Sequence, residues 1–401
     1  MSWSRAASVR AAALAAGLAL TGGARLLAES PSSFSPCDVL ERESTCWNRR
    51  ARELVGRHRV DPPRASRVYA ILSIAQHEAM IAARGGGSGE LGLRGLREGA
   101  AVDAASQVVL SELFALTAIP PPLTRADRRA GAEVGHRVAG EVLGLFATDG
   151  SQAEHGVSPP LGPQRWRSQV GRPPLRPSWG NVRPLAVQSA DEYLPPPPPD
   201  PQSQDFLTAL EQVRQTATDP SEVQRRSAAF WDDSIGTPTP TGHWNAIAAQ
   251  LVARATLDEE EATRVVAVLN VAMMDAGIVC WRAKYLYWTM RPNQADPAIR
   301  PLLKVPNFPA YPSGHAAFSG AAAAVLAHFF PAHAMELRAT AEAAALSRVF
   351  GGIHYPYDAE AGLVVGQRVA RVVIGRSVEQ VPLLRDLAAR SSTTQAQSPA
   401  R

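Results

Sequence analysis

Phe308-Pro309-Ala310-Tyr311-Pro312-Ser313-Gly314-His315 leads straight into residues 316–329, a run dominated by alanine and other small or apolar residues. Alanine is the strongest helix former and serine a favoured N-cap, so the pattern predicts a turn at Pro312 and a helix capped by Ser313. The first amides of such a helix are free to meet an anion, and Gly314 lets backbone approach it closely. A plain turn capping an ordinary helix explains Ser313 and Gly314 equally well, but it leaves His315 without a purpose.

Downstream, Ser347-Arg348 closes a predicted helix, Gly351-Gly352 breaks it, and His354 lies four residues before Asp358. A helix beginning near His354 lets Asp358 face the imidazole and hold it in one tautomer. Upstream, Lys284 and Arg291 stand seven apart. On one helix that spacing puts both on the same face, two turns apart. Cations at a helix C-terminus are favourable without any ligand. Trp281, Tyr285, Leu286 and Trp288 surround them, however, and this apolar setting predicts that the charges are at least partly enclosed.

The remaining chain is read as helical. Asp61-Pro62-Pro63 opens a helix running to Ala83, with Val68, Ile71, Leu72 and Ala75 at helical spacing. His77-Glu78 lacks the second histidine of a zinc motif and is read as a satisfied, partly buried pair. Further helices are expected at 46–54, 100–116, 124–146, 206–216, 221–231 and 245–255, with Thr237–Trp244 as a loop. A long helix, with a possible break, spans 261–290 and stops at Arg291-Pro292. Residues 158–200 are rich in proline, yet Trp166 and Trp179 need something to pack against, so this is an ordered irregular connection. Period-2 segments are few, and the fold class is all-α: helical bundles with long Pro-rich connections. The expected divisions are 1–28, 29–157 (N-terminal helical region), 158–205 (connection), 206–385 (C-terminal helical catalytic region) and 386–401 (tail).

With 401 residues, 45% hydrophobic and 19% charged, the chain has the apolar surface for one large domain or two ordinary ones. A net charge of +4 argues against a nucleic-acid partner, which calls for a concentrated basic patch. Arg5 and Arg10 precede the mainly apolar run 11–20, and Gly22-Gly23-Ala24 offers a small-residue cleavage site, the pattern of an export signal. An uncleaved anchor or a stray alanine-rich helix is the alternative. No later stretch has eighteen unbroken apolar residues, so no membrane span is expected in the mature chain. Cys37 and Cys46 are close enough in sequence to pair in an oxidising compartment, but spacing alone leaves them paired or free. Cys280, beside Trp281, is read as a small core residue.

Three permanent cations, a hydroxyl, a glycine amide and two histidines within one segment form a set suited to an oxyanion, because Lys and Arg neutralise it and fork its oxygens. In order, Lys284 and Arg291-Pro292, then Pro312-Ser313-Gly314-His315, then Ser347-Arg348, His354 and Asp358 resemble the type 2 phosphatidic acid phosphatase and vanadium-dependent haloperoxidase superfamily. The resemblance implies that Lys284, Arg291 and Arg348, with Ser313 and Gly314, hold the oxygens of vanadate or phosphate. It implies that His354 is the ligand to vanadium or the nucleophile on phosphorus, and that His315 is the general acid/base. The long helical N-terminal half resembles the haloperoxidases, and Trp281 with Phe308 resembles the halide-side aromatic pair of their chloroperoxidase branch. Plain core packing is the other reading of that pair. The implied activity uses hydrogen peroxide and halide, with vanadate as a Lewis acid. A soluble acid phosphatase acting on a phosphate ester, without vanadate, is the alternative.

Overall fold

The structure, a computed structural model, describes residues 42–85, 91–116, 126–153, 160, 162 and 164–378. The expected export signal, Cys37 and the C-terminal tail lie outside the described residues. Cys46 is buried and disulfide-bonded.

Twelve α-helices run in chain order among the described residues: α1 (Glu43–Arg57), α2 (Pro62–Arg84), α3 (Leu91–Phe114), α4 (Ala126–Phe146), α5 (Gln204–Thr218), α6 (Glu222–Phe230), α7 (Thr239–Arg254), α8 (Glu259–Tyr287), α9 (Pro292–Ala295), α10 (Gly314–Phe329), α11 (Ala334–Phe350) and α12 (Pro356–Val378). No strand occurs among the described residues; isolated bridges join Arg165 to Thr289 and Ile235 to Thr237. The all-α expectation holds.

The fold is built around α8. Asp258 caps it in a capping box with Glu261, and three glutamates occupy its first turn, where the helix dipole favours them. Beyond that turn it is apolar on nearly every side, the signature of a helix enclosed by others. It packs against α2, α10 and α12. By length and composition α8 could cross a membrane, but 94% of its apolar window is buried inside the protein, so packed helices and not lipid satisfy it. One apolar core runs from Trp47 and Tyr69 through Met273 and Trp281 to Phe318 and Val369, joining the first four helices to the last three.

Two sequence expectations are corrected here. The long helix is unbroken and ends at Tyr287, because Trp288 turns into the left-handed region at φ 51°. Lys284 and Arg291 therefore do not share a helix. Arg291 is instead the N-cap of the short α9, whose first position is Pro292. Likewise, α7 starts at Thr239 and absorbs the expected loop up to Trp244. Gly242 reads as a loop residue in sequence, yet it lies within this helix, where only glycine fits because a Cβ there would lie 2.5 Å from the Tyr69 hydroxyl.

The Pro-rich connection is ordered where it is described, and α8 holds it. Buried Asp275 accepts hydrogen bonds from the amides of Leu185 (2.7 Å), Ala186 (2.7 Å) and Val187 (3.1 Å). The hydroxyl of Tyr285 donates to the Leu175 carbonyl at 2.7 Å, and that of Tyr287 donates to Pro195 at 2.8 Å. Trp166 is buried against Trp288, with ring centroids 6.0 Å apart, and Trp179 joins the core. Replacing Asp275 with Ala leaves three buried amides without that acceptor. Hydrogen bonds to a charged acceptor are worth about 1.5–3 kcal/mol, so Asp275→Ala is expected to lower unfolding stability by about 3 kcal/mol, read from urea midpoints.

Candidate active site

Four chain segments converge at one end of the bundle. Lys284 comes from the last turn of α8 and Arg291 from the bend after it. The loop 308–312 delivers Ser313 and Gly314 at the start of α10, and Arg348 projects from the last turn of α11. His354 lies just before α12 and Asp358 in its first turn. The N-termini of α10 and α12 are pinned together, since the Ser313 amide donates to the Asp358 carbonyl at 2.9 Å. Gly362 permits this approach: a Cβ there would sit 2.6 Å from the Ser313 carbonyl oxygen.

The cations are fully enclosed. Lys284 and Arg291 are 0% exposed and Arg348 is 1% exposed. The Lys284 ammonium donates to the carbonyls of Pro309, Ala310 and Pro312. Arg291 donates to Phe308 (3.0 Å) and Ile353 (2.7 Å). Arg348 donates to the Ser347 hydroxyl (3.0 Å) and the Ala228 carbonyl (2.8 Å). Backbone carbonyls thus solvate these charges in place of water, as buried ions require. Burial, the largest cause, pushes Lys284 down from its usual range and takes Arg291 and Arg348 to about 10, so both guanidiniums stay charged at neutral pH.

The hydrogen bonds of His354 define its tautomer. Its Nδ1 lies 2.8 Å from Asp358 Oδ2, and its Nε2 lies 3.0 Å from Arg291 Nη1. A guanidinium nitrogen only donates, so Nε2 carries the lone pair and Nδ1 the proton given to Asp358. Burial first, then Arg291 and Lys284, hold His354 well below the usual histidine range. Burial also pushes the Asp358 carboxyl up.

His315 faces the same cluster from α10. Its Nε2 is buried with no hydrogen-bond partner among the described residues. Burial first, and Arg348 next, hold it neutral well below its ordinary range. Ser313, fully buried, uses its hydroxyl oxygen to cap α10 through the Ala316 amide at 3.4 Å, which leaves the hydroxyl proton available. Trp281 and Phe308 pack at 5.2 Å between centroids and border the cations: Lys284 Nζ lies 5.0 Å and the Arg291 guanidinium 4.9 Å from the Phe308 ring. They are core residues and cation partners at once.

The structure thus brings Lys284, Arg291, Ser313, Arg348, His354 and Asp358 to one end of the bundle, with Trp281 and Phe308 beside them. His77, on α2, is apart from this group: its Nδ1 lies 3.2 Å from the Thr263 hydroxyl, the satisfied histidine expected of it. What sequence reasoning missed is the segment 228–233, whose carbonyls receive Arg348, and His243, which pairs with Asp233 at 3.1 Å. Asp232-Asp233 looks like any acidic loop, and the pairing across ten residues depends on how α7 folds back. The only available signal was a histidine between Gly242 and Trp244.

Among the described residues, no group of three or more His, Cys, Asp or Glu is arranged to hold a metal cation directly. Three buried cations, one imidazole lone pair and one unpartnered imidazole nitrogen instead form the donor set of an oxyanion such as phosphate or vanadate. These residues fit that group. Lys284 already directs all three of its N–H bonds at carbonyls, so an anion must take over part of that set.

Two outcomes are expected. Inorganic phosphate or orthovanadate raises the melting temperature, by about 2.7 kcal/mol of stabilisation at a hundredfold excess over Kd, and Arg291→Ala removes the effect. In the absence of anion, acid destabilises. Below roughly pH 6.5 the unfolded chain takes up protons on His315, His354 and His77, which the folded chain resists because burial holds all three below the usual histidine range, while Asp358 and Glu259, held above the usual carboxylate range, work the other way. With the histidines in the majority, stability should fall as the pH drops below that point, read in denaturant titrations.

Comparison with known proteins agrees with this geometry. Residues 265–380 match the PAP2 superfamily and include every candidate site residue from Lys284 to Asp358, together with Trp281 and Phe308. No curated protein matches the sequence. A bacterial vanadium-dependent iodoperoxidase structure is similar over 86% of this chain and 98% of its own, at 24% identity and a TM-score of 0.70. The holo form of a bacterial vanadium-dependent chloroperoxidase covers 82% of this chain and 93% of its own, at 12% identity and a TM-score of 0.67. Its apo form gives a TM-score of 0.66. The chain carries a PAP2 superfamily domain within the helical fold of the vanadium haloperoxidases.

Proposed function

We propose that the chain is a vanadate-dependent haloperoxidase that converts halide and hydrogen peroxide, with one proton, into hypohalous acid and water. The observation that carries this reading is the enclosure of Lys284, Arg291 and Arg348 around the lone pair of His354, beside the Trp281–Phe308 pair. Three buried cations carry about the charge needed to neutralise a trianionic oxyanion, which makes its burial tolerable.

In this reading the three cations, the Ser313 hydroxyl and the Gly314 amide hold the oxygens of vanadate, and His354 Nε2 supplies its nitrogen ligand. Vanadate, when bound, supplies a Lewis-acidic centre for hydrogen peroxide without changing oxidation state. Asp358 keeps the His354 proton on Nδ1, so that Nε2 remains a donor of its lone pair. His315 is neutral and its Nε2 is unpartnered, as a general base requires: it takes the proton that peroxide must lose and returns it to the departing water. Lys284 places an ammonium within the cluster, where it makes a peroxide oxygen more electrophilic toward halide. Trp281 and Phe308 line that side and limit water. Export fits this assignment, since a disulfide at Cys46 belongs to an oxidising compartment.

One observation also favours phosphate chemistry. A neutral His354 backed by Asp358 is a competent nucleophile, and His315 can protonate a leaving group. A side-by-side assay separates the two. Peroxide-dependent oxidation of iodide or bromide, followed with a phenol-type reporter after vanadate loading, is expected to be abolished by His354→Ala. His315→Ala is expected to lower it by about 10²–10⁴-fold. Hydrolysis of a phosphomonoester without vanadate, inhibited by adding it, together with no halide oxidation at any pH, would overturn the assignment in favour of a phosphatase.

A further inference from the structure

The oxyanion cluster has a support that its motifs do not contain. Arg348 donates to the carbonyls of Ala228 and Asp232, and the backbone of Trp231 and Asp232 also acts on the His315 imidazole, favouring its protonated form. One short segment, the end of α6 and the turn after it, thus aims both the third cation and the candidate acid/base. Its shape needs holding. Asp233 sits at φ 41° and Thr239 at φ 67°, left-handed conformations unfavourable for side-chain-bearing residues, and Gly236 sits at φ 106°.

His243, on α7, makes the contacts that hold it. Its Nδ1 lies 3.1 Å from one Asp233 carboxylate oxygen and 3.3 Å from the other. Its ring stacks on Trp231, with centroids 4.2 Å apart at 19°, and Phe230 meets both rings edge-on. Trp231 is 4% exposed, so the stack is a fixed contact. The imidazole therefore grips the segment on both sides of Asp232, by a ring face at 231 and a hydrogen bond at 233. Asp232 is held separately, its carboxylate accepting from the Ser234 hydroxyl at 2.8 Å. The Tyr69 hydroxyl anchors the far end through the Pro238 carbonyl at 3.0 Å.

We propose that the His243–Asp233 pair is a positioning device for the active site: it fixes the 231–232 carbonyls that set the orientation and tautomer of His315 and the placement of Arg348. The proposal rests on the oxyanion-site reading, but not on which oxyanion chemistry the site performs. It deepens that reading by assigning a role to a histidine outside the motif region.

The test uses the full chain labelled with 15N, with long-range 1H–15N spectra of the imidazoles and calorimetric titration with inorganic phosphate. In the wild type His315 should show a single tautomer, with its proton on the nitrogen facing the 231–232 carbonyls. His243→Phe keeps the ring stack and loses the bond to Asp233. It is expected to give His315 shifts averaged between two tautomers and to weaken phosphate binding by about tenfold or more. His243→Gln, whose amide can still donate to Asp233, is expected to restore both. Should His243→Phe fail to fold, Asp233→Ala removes the acceptor of the same bond and carries the same expectation. A folded His243→Phe or Asp233→Ala variant with unchanged His315 shifts and unchanged phosphate affinity overturns the proposal. Neither readout needs halide oxidation, so an inactive haloperoxidase assay and a failed positioning role are separately visible.

Discussion

The constraint on which this structure turns is the burial of three cations at one end of a helical bundle. Lys284, Arg291 and Arg348 are removed from water almost entirely. Such charges are tolerated only where hydrogen bonds and opposite charge replace hydration. The protein meets that demand largely with backbone: the loop 308–312 directs carbonyls at Lys284 and Arg291, and the segment 228–232 directs them at Arg348. The buried carboxylate of Asp358 is tied up with His354 and the Tyr355 amide. The cluster therefore keeps a positive excess, which suits it to an oxyanion.

Around that cluster the fold acts as a frame. The long α8 is apolar enough to be enclosed on all sides, and this enclosure lets its last turn carry Lys284 inward. Glycine at 362 brings α12 against α10 closely enough that the Ser313 amide bonds the Asp358 carbonyl. The same contact fixes the spacing between a helix N-terminus, suited to anions, and the imidazole that faces it. Asp275 holds the Pro-rich connection against α8, and the Trp281 indole and Tyr285 hydroxyl both reach the Leu175 carbonyl of that connection. The wall of the site is thereby continuous with a segment that has almost no regular secondary structure.

Helical structures of vanadium-dependent iodo- and chloroperoxidases share this frame at 12–24% identity. Similarity at that level establishes the fold alone. The proposed peroxide chemistry rests on the Trp281–Phe308 pair over Lys284 and Arg291, an apolar wall in contact with the cations. The PAP2 match is consistent with either chemistry, because both use the same cations and the same histidine.

Much of this was legible in the chain itself. Helical periodicity, capping residues and the scarcity of alternating segments determined an all-α protein, and the ordered spacing of Lys284, Arg291, Ser313, His315, Arg348, His354 and Asp358 determined an oxyanion-type cluster, because these are local patterns that survive without knowledge of the partners. Where the helices end was harder: one left-handed residue, Trp288, separates Lys284 from Arg291, and the stretch up to Trp244, expected as a loop, is helical from Thr239. The tertiary structure alone decided which carbonyls would replace water around the cations, that His354 presents its Nε2 lone pair, and that His243 pairs with Asp233 beside the carbonyl of Asp232 that receives Arg348. Those contacts join residues with no periodic relation in the chain, and their geometry exists only once the helices have packed. The residues that make the site electropositive could be read in sequence, whereas the means of enclosing that charge are a property of the fold.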